Sequence, residues 1–121
     1  MNDDRETTDR ELIENAANAA GLRVQHFHED AGLYIVDPIE GGSYWNPLRD
    51  DGEALRLAAQ LRISVGYDGH AVGEWVFAQE PEKPDTVSVR QYVRVSGGDF
   101  AAAYRRAIVL AAAEMATERR D

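Results

Sequence analysis

Apolar positions along this chain switch period several times, and the switches outline its elements. Leu12, Ile13, Ala16, Ala19 and Ala20 recur at helical spacing. Thr8 with Glu11 fits a capping box ahead of them, and Gly21 supplies a stop, so the pattern predicts a first helix over residues 8–20. Leu22 to His28 alternates instead. Leu22, Val24, His26 and His28 would share one face, with Arg23, Gln25 and Phe27 on the other. The Glu29-Asp30-Ala31-Gly32 turn and the apolar run Leu33 to Val36 complete a predicted hairpin.

Residues 37–49 carry no period and read as a long loop, of the kind that is more often functional than a short connection. A second helix follows. Asp50 with Glu53 is one start, and Asn46 with Pro47 an earlier one; its stripe would be Leu55, Ala58, Ala59 and Leu61. Ile63 to Gly66 reads as a strand, Asp68-Gly69 as a two-residue hairpin turn, and Val72 to Ala78 as the returning strand. After the proline-punctuated segment 79–85, Thr86 to Val95 alternates cleanly. Val87, Val89, Val93 and Val95 face one side, and Ser88, Arg90, Tyr92 and Arg94 the other. Asp99 caps a last helix, about residues 100–118, with a stripe of Phe100, Tyr104, Ala107, Ile108, Ala111 and Met115.

The predicted class is α+β. A largely antiparallel sheet of about five strands packs with three helices in the order αββαβββα, compatible with a layered α/β/α sandwich. At 121 residues this is one domain, with residues 1–7 frayed. The chain lacks cysteine, which removes thiol chemistry and Cys-ligated zinc and fits a reducing cytoplasm. The polar start and the absence of a long apolar run argue against a signal peptide or a membrane span.

Charge refines the picture. The net charge is −9, but residues 1–61 hold 13 Asp+Glu against 5 Arg, whereas residues 62–121 hold 9 against 8 Lys+Arg. Overall acidity disfavours direct nucleic-acid binding and favours a basic protein partner. It also serves solubility.

Candidate chemistry is sparse. His26 and His28, two apart on a strand, could hold two positions of a zinc or nickel ion with Glu29 or Asp30, or be exposed edge histidines. Asp50, Asp51 and Glu53 crowd one helix start, where capping explains them better than acid–base work. Gly41-Gly42-Ser43 and Ser96-Gly97-Gly98 lack the P-loop lysine and read as turns. No serine sits in a nucleophile-elbow context. Tyr44, Trp45 and Asn46 form the first binding candidate, since Tyr and Trp bring large area at low entropy cost. The competing reading makes Trp45 a core plug and Asn46 a cap. Arg90, Tyr92 and Arg94 form the second candidate, for cation–π or anion contacts, against a solvated or helix-covered face. No cofactor is expected.

The run Trp45-Asn46-Pro47-Leu48-Arg49-Asp50-Asp51-Gly52-Glu53-Ala54-Leu55-Arg56-Leu57-Ala58 resembles a segment of small proteins encoded by bacteriophages and prophages. A weaker likeness covers Arg105 to Ala113. The wider group looks like the phage ABA sandwich domain family. That resemblance implies a sheet between helical layers, a phage origin and a cytoplasmic life in the infected host, and it carries no active site to transfer. The expected function is therefore a non-enzymatic interaction protein, in one version an acidic inhibitor of a host defence protein. The alternatives are a nucleotide binder, with Tyr44 and Trp45 stacking on a base and Arg90 or Arg94 meeting a phosphate, and a self-associating virion or assembly component.

Overall fold

The computed structural model describes residues 8–37, 41–70, 73–84 and 89–119. The expected fraying of residues 1–7, residues 38–40 of the long loop, Val72 and the expected strand start at 86–88 lie outside the described residues. The elements run α1 (Asp9–Ala19), β1 (Val24–His28), β2 (Gly32–Asp37), β3 (Gly41–Trp45), α2 (Asp51–Leu61), β4 (Ser64–His70), β5 (Gly73–Gln79), β6 (Arg90–Arg94) and α3 (Phe100–Arg119).

The class is α+β, but the strands make two antiparallel three-stranded sheets, β1-β2-β3 and β4-β5-β6, instead of one five-stranded sheet. The order is αβββαβββα because Gly41–Trp45, expected as loop, is a strand paired along β2 from Leu33↔Trp45 to Asp37↔Gly41. The layering also reverses the expected one. Helices occupy the interior, with the N-terminal sheet on α1 and the C-terminal sheet on α3.

The helix ends form as the sequence indicates. The Thr8 side chain accepts from the Glu11 backbone N–H, and the Glu11 carboxylate accepts from Thr8 N–H, closing the capping box. Asp50 Oδ1 accepts from Glu53 N–H at 2.9 Å, which selects the later start for α2. The buried stripe of α2 is Ala54, Leu57, Ala58 and Leu61, shifted from the expected one, and Leu55 is 68% exposed.

Helix α3 is buried on more sides than one stripe allows. Val109 and Ala112 are fully buried along with Ala107 and Ala111, since α3 meets α1 and α2 as well as β5 and β6. Alanine suits this position, because small side chains let two helices and a sheet approach one axis with little entropy lost.

Two apolar clusters result. The larger joins all three helices to Val76 and Ala78 of β5. The smaller is Ile13, Ala17 and Leu33 with half-buried Leu22, Phe27 and Ile35, and it fixes the N-terminal sheet to α1. Trp45 and Leu48 pack against both.

Two local expectations are corrected. A register shift between Val24 and His26 breaks the β1 alternation, so Leu22 packs inward while His26 and His28 point out. Asp68 and Gly69 are not the hairpin turn. They pair with Trp75 and Glu74 in a ladder that continues to His70↔Gly73, as the longer ladder outweighs the local turn preference.

Candidate functional site

Among the described residues, each sheet packs one face on helices and leaves the other uncovered. Antiparallel sheets tolerate this where the wet face carries side chains that accept water. Here both wet faces carry rings.

On the N-terminal sheet, His26, Tyr34 and Tyr44 are directly opposite one another across β1, β2 and β3. The His26 ring stacks on Tyr34 with centroids 4.9 Å apart and an interplanar angle of 7°. Tyr44 meets Tyr34 edge-on at 5.1 Å, and its hydroxyl lies 3.3 Å from His26 Nε2. His28 approaches Tyr44 edge-on at 6.0 Å. Such ring pairs each add about 0.5–1.5 kcal/mol beyond area burial when shielded, and less here in water. Gly42 makes the arrangement possible: a Cβ there would sit 2.4 Å from the Tyr34 ring. Tyr44 remains 40% exposed, and Glu29 and Asp30 stand exposed in the turn beyond His28.

On the C-terminal sheet, three register rows face outward. They are Ser64–Gln79–Arg90, Gly66–Phe77–Tyr92 and Asp68–Trp75–Arg94. The Arg90 guanidinium lies 4.1 Å from the Phe77 ring centroid. Its Nε donates to Gln79 Oε1 at 2.6 Å and its Nη1 to the Tyr92 hydroxyl at 3.3 Å. Phe77 and Tyr92 are tilted neighbours at 5.7 Å. Gly66 leaves the space under Phe77, and Arg94 reaches across to Gly73.

The structure therefore divides the first binding candidate. Tyr44 is on the uncovered face, while Trp45 is half-buried between the two apolar clusters. Asn46 is structural. Its Oδ1 accepts from Leu48 N–H at 3.2 Å, and its own N–H donates to Glu53 Oε1 at 2.6 Å. The second candidate stays together, with Arg90, Tyr92 and Arg94 on one exposed face that no helix of the described residues covers. Tyr44 and Arg90 belong to different sheets separated by helices, so the residues of the expected nucleotide site do not converge.

His26 and His28 share the outer face, but His26 is engaged by two tyrosines, and His28 Nδ1 accepts from Asp30 N–H at 3.2 Å. Among the described residues no three His, Asp or Glu side chains gather to hold a metal ion. Asp50 and Glu53 are spent on capping, and Asp51 pairs with Arg105 at 2.6 Å. Gly41 and Gly42 are strand residues; Gly97 and Gly98 form the turn before Asp99, whose Oδ1 accepts from Ala102 N–H.

Tyr34, Trp75, Phe77 and Gln79 were missed as surface residues. Alternation could have found them, since Leu33/Ile35 and Val76/Ala78 mark the opposite, buried face. A cleft of about 230 Å³ between α2 and the N-terminal sheet has an apolar floor of Leu22, Ile35 and Trp45 and a polar rim of Glu53, Arg56 and Gln60. Gln60 closes one end by donating to Ala20 O at 2.8 Å. At the edge of the other sheet, the Tyr67 hydroxyl donates to Glu74 Oε2, and this bond with the nearby carboxylate charge raises the phenol above its ordinary pKa.

No helix among the described residues is long and apolar enough to cross a membrane. Comparison with known protein families, curated proteins and solved structures finds no match to this chain.

Proposed function

We propose that the chain is a non-enzymatic interaction protein, encoded by a phage or prophage, that holds a basic host protein against the uncovered face of its N-terminal sheet. The observation that carries this reading is the cluster of Tyr34, Tyr44, His26 and His28 on an open face with Glu29 and Asp30 at its end. Rings held by one another lose little entropy when a partner covers them. An arginine or lysine of the partner gains about 0.5–2 kcal/mol over a tyrosine face and a further contribution from the carboxylates. This sheet also belongs to the acid-rich half of the sequence, which speeds encounter with a basic surface. The resemblance of residues 45–58 to phage proteins supports the origin, and inhibition of a host defence protein is the version that best uses an acidic surface.

The test places a photo-cross-linking amino acid at position 44 in host cells, with exposed position 55 on α2 as control. One basic protein should be captured at 44, and the adduct should fall at least fivefold with Glu29→Lys/Asp30→Lys. Equal capture from both positions, or an adduct indifferent to the charge reversal, would overturn the reading.

A further inference from the structure

We infer that the uncovered face of the C-terminal sheet is a platform for a short stretch of single-stranded nucleic acid. This goes beyond the proposed protein contact and uses the other sheet, so either can fail alone.

The argument starts from β6. Arg90, Tyr92 and Arg94 alternate with Val93 and therefore share the outer face. The two arginines are four positions apart, so their Cα atoms are roughly 13 Å apart at ~3.3 Å per residue. Two cations with an aromatic ring between them can meet non-adjacent phosphates of one extended strand while a base covers the ring. Tyr92 is 46% exposed, so its ring is open to stacking. Arg90 is pre-set. Phe77 lies beneath its guanidinium, Gln79 and Tyr92 hold two of its donors, and the residue as a whole is exposed. Nucleic-acid bases stack on aromatic rings and on guanidinium planes alike, largely without regard to sequence. The nine outward residues of the three rows include no aliphatic side chain, so the face offers planes and charges instead of a greasy pocket.

Whole-chain acidity opposes such a ligand, and the fold explains why it does not forbid it. The acid excess belongs to residues 1–61, whose described part builds α1, the N-terminal sheet and α2, while residues 62–121 are near neutral. Charges more than about 8 Å apart are largely screened at physiological salt. The field at the face is set locally, and among the described residues the charged side chains of the three rows are Arg90, Arg94 and Asp68, the last sharing the row of Trp75 and Arg94. A net local charge this small supports contact with few phosphates. It rules out the many-phosphate footprint of a duplex binder.

Fluorescence anisotropy of labelled oligonucleotides about ten nucleotides long tests the inference on the full chain. Saturable binding of single strands is expected at low salt, weaker binding of a duplex of equal length, and a log–log salt slope of roughly −0.7 to −1.4, as for one or two phosphates. Tyr92→Ala should weaken binding at least about fivefold, the lower end for loss of one stacked base. Arg90→Lys, which keeps the charge but removes the plane and fork, should weaken it as well. Tyr44→Ala on the other sheet should leave it unchanged. Absence of saturable binding, a duplex bound equally well, or a folded Tyr92→Ala that binds normally would overturn the inference. So would an acidic peptide that displaces the oligonucleotide charge for charge, which would identify a plain anion or acidic-protein surface. If Tyr92→Ala fails to fold, Arg90→Lys decides the same point.

Discussion

The residue that most tightly constrains the N-terminal sheet is Gly32. It closes the β1–β2 hairpin at φ +103°, and a Cβ there would lie 2.4 Å from the Trp45 carbonyl oxygen of β3. Backbone strain of this kind costs about 1–3 kcal/mol, and the clash with an immobile backbone atom adds to it. Gly32→Ala should therefore lower stability by at least about 2 kcal/mol in urea unfolding. Gly41→Ala, also at positive φ but with open space around its Cβ, should cost about 1 kcal/mol from strain alone. Equal losses at the two positions would show that contact with Trp45 carries nothing. Gly32 was legible as a turn residue, but this second duty was not, because it depends on β3, which the sequence hid. At the same scale, segment 45–58 is largely accounted for by folding: Trp45 bridges two clusters, Pro47 is buried, Asp50 caps, Asp51 holds Arg105, and Ala54, Leu57 and Ala58 face inward. Leu55, at 68% exposure, is the member that nothing in the structure explains.

At the scale of elements, helices were easier to read than strands, for physical reasons. The end signals of α1 and α2 are local, as Thr8 with Glu11 and Asp50 with Glu53 each close within one turn. Strand β3 sends the opposite local signal. Gly41-Gly42-Ser43 resembles a turn, yet Gly42 serves to admit the Tyr34 ring from the neighbouring strand. The division into two sheets was hidden for the same reason, since only pairing across distant residues decides it. One helix end remains imperfect. Arg62 closes α2 in the left-handed region at φ 60°, ψ 39°, where a side chain costs of order 1 kcal/mol. Arg62→Gly should raise stability by about 0.5 kcal/mol, part of the relief being offset by the greater freedom of glycine in the unfolded chain. A loss of stability instead would show that the arginine makes contacts outweighing its strain.

For the whole molecule, the decisive feature is unequal anchorage of the two sheets. The C-terminal sheet contributes Val76 and Ala78 to a cluster that also takes in every helix, so opening it disrupts the main core. The N-terminal sheet rests chiefly on Leu33 against Ile13 and Ala17, with half-buried Leu22, Phe27 and Ile35 around them. Local opening free energies follow such differences in buried apolar contact. Amide protons of β1–β3 should therefore exchange at least about tenfold faster than those of β5, a gap of roughly 1.4 kcal/mol. Leu33→Ala, which removes a fully buried side chain, should widen the gap while costing about 2–5 kcal/mol locally. The proposed function makes the same measurement sharper. A basic partner that docks on Tyr34 and Tyr44 binds only the closed sheet, so it should slow exchange in β1–β3 by a factor that grows with its concentration over Kd, while β5 changes less. Protection that rises uniformly in both sheets would mean that the molecule opens as one unit and that its two faces are not energetically separate.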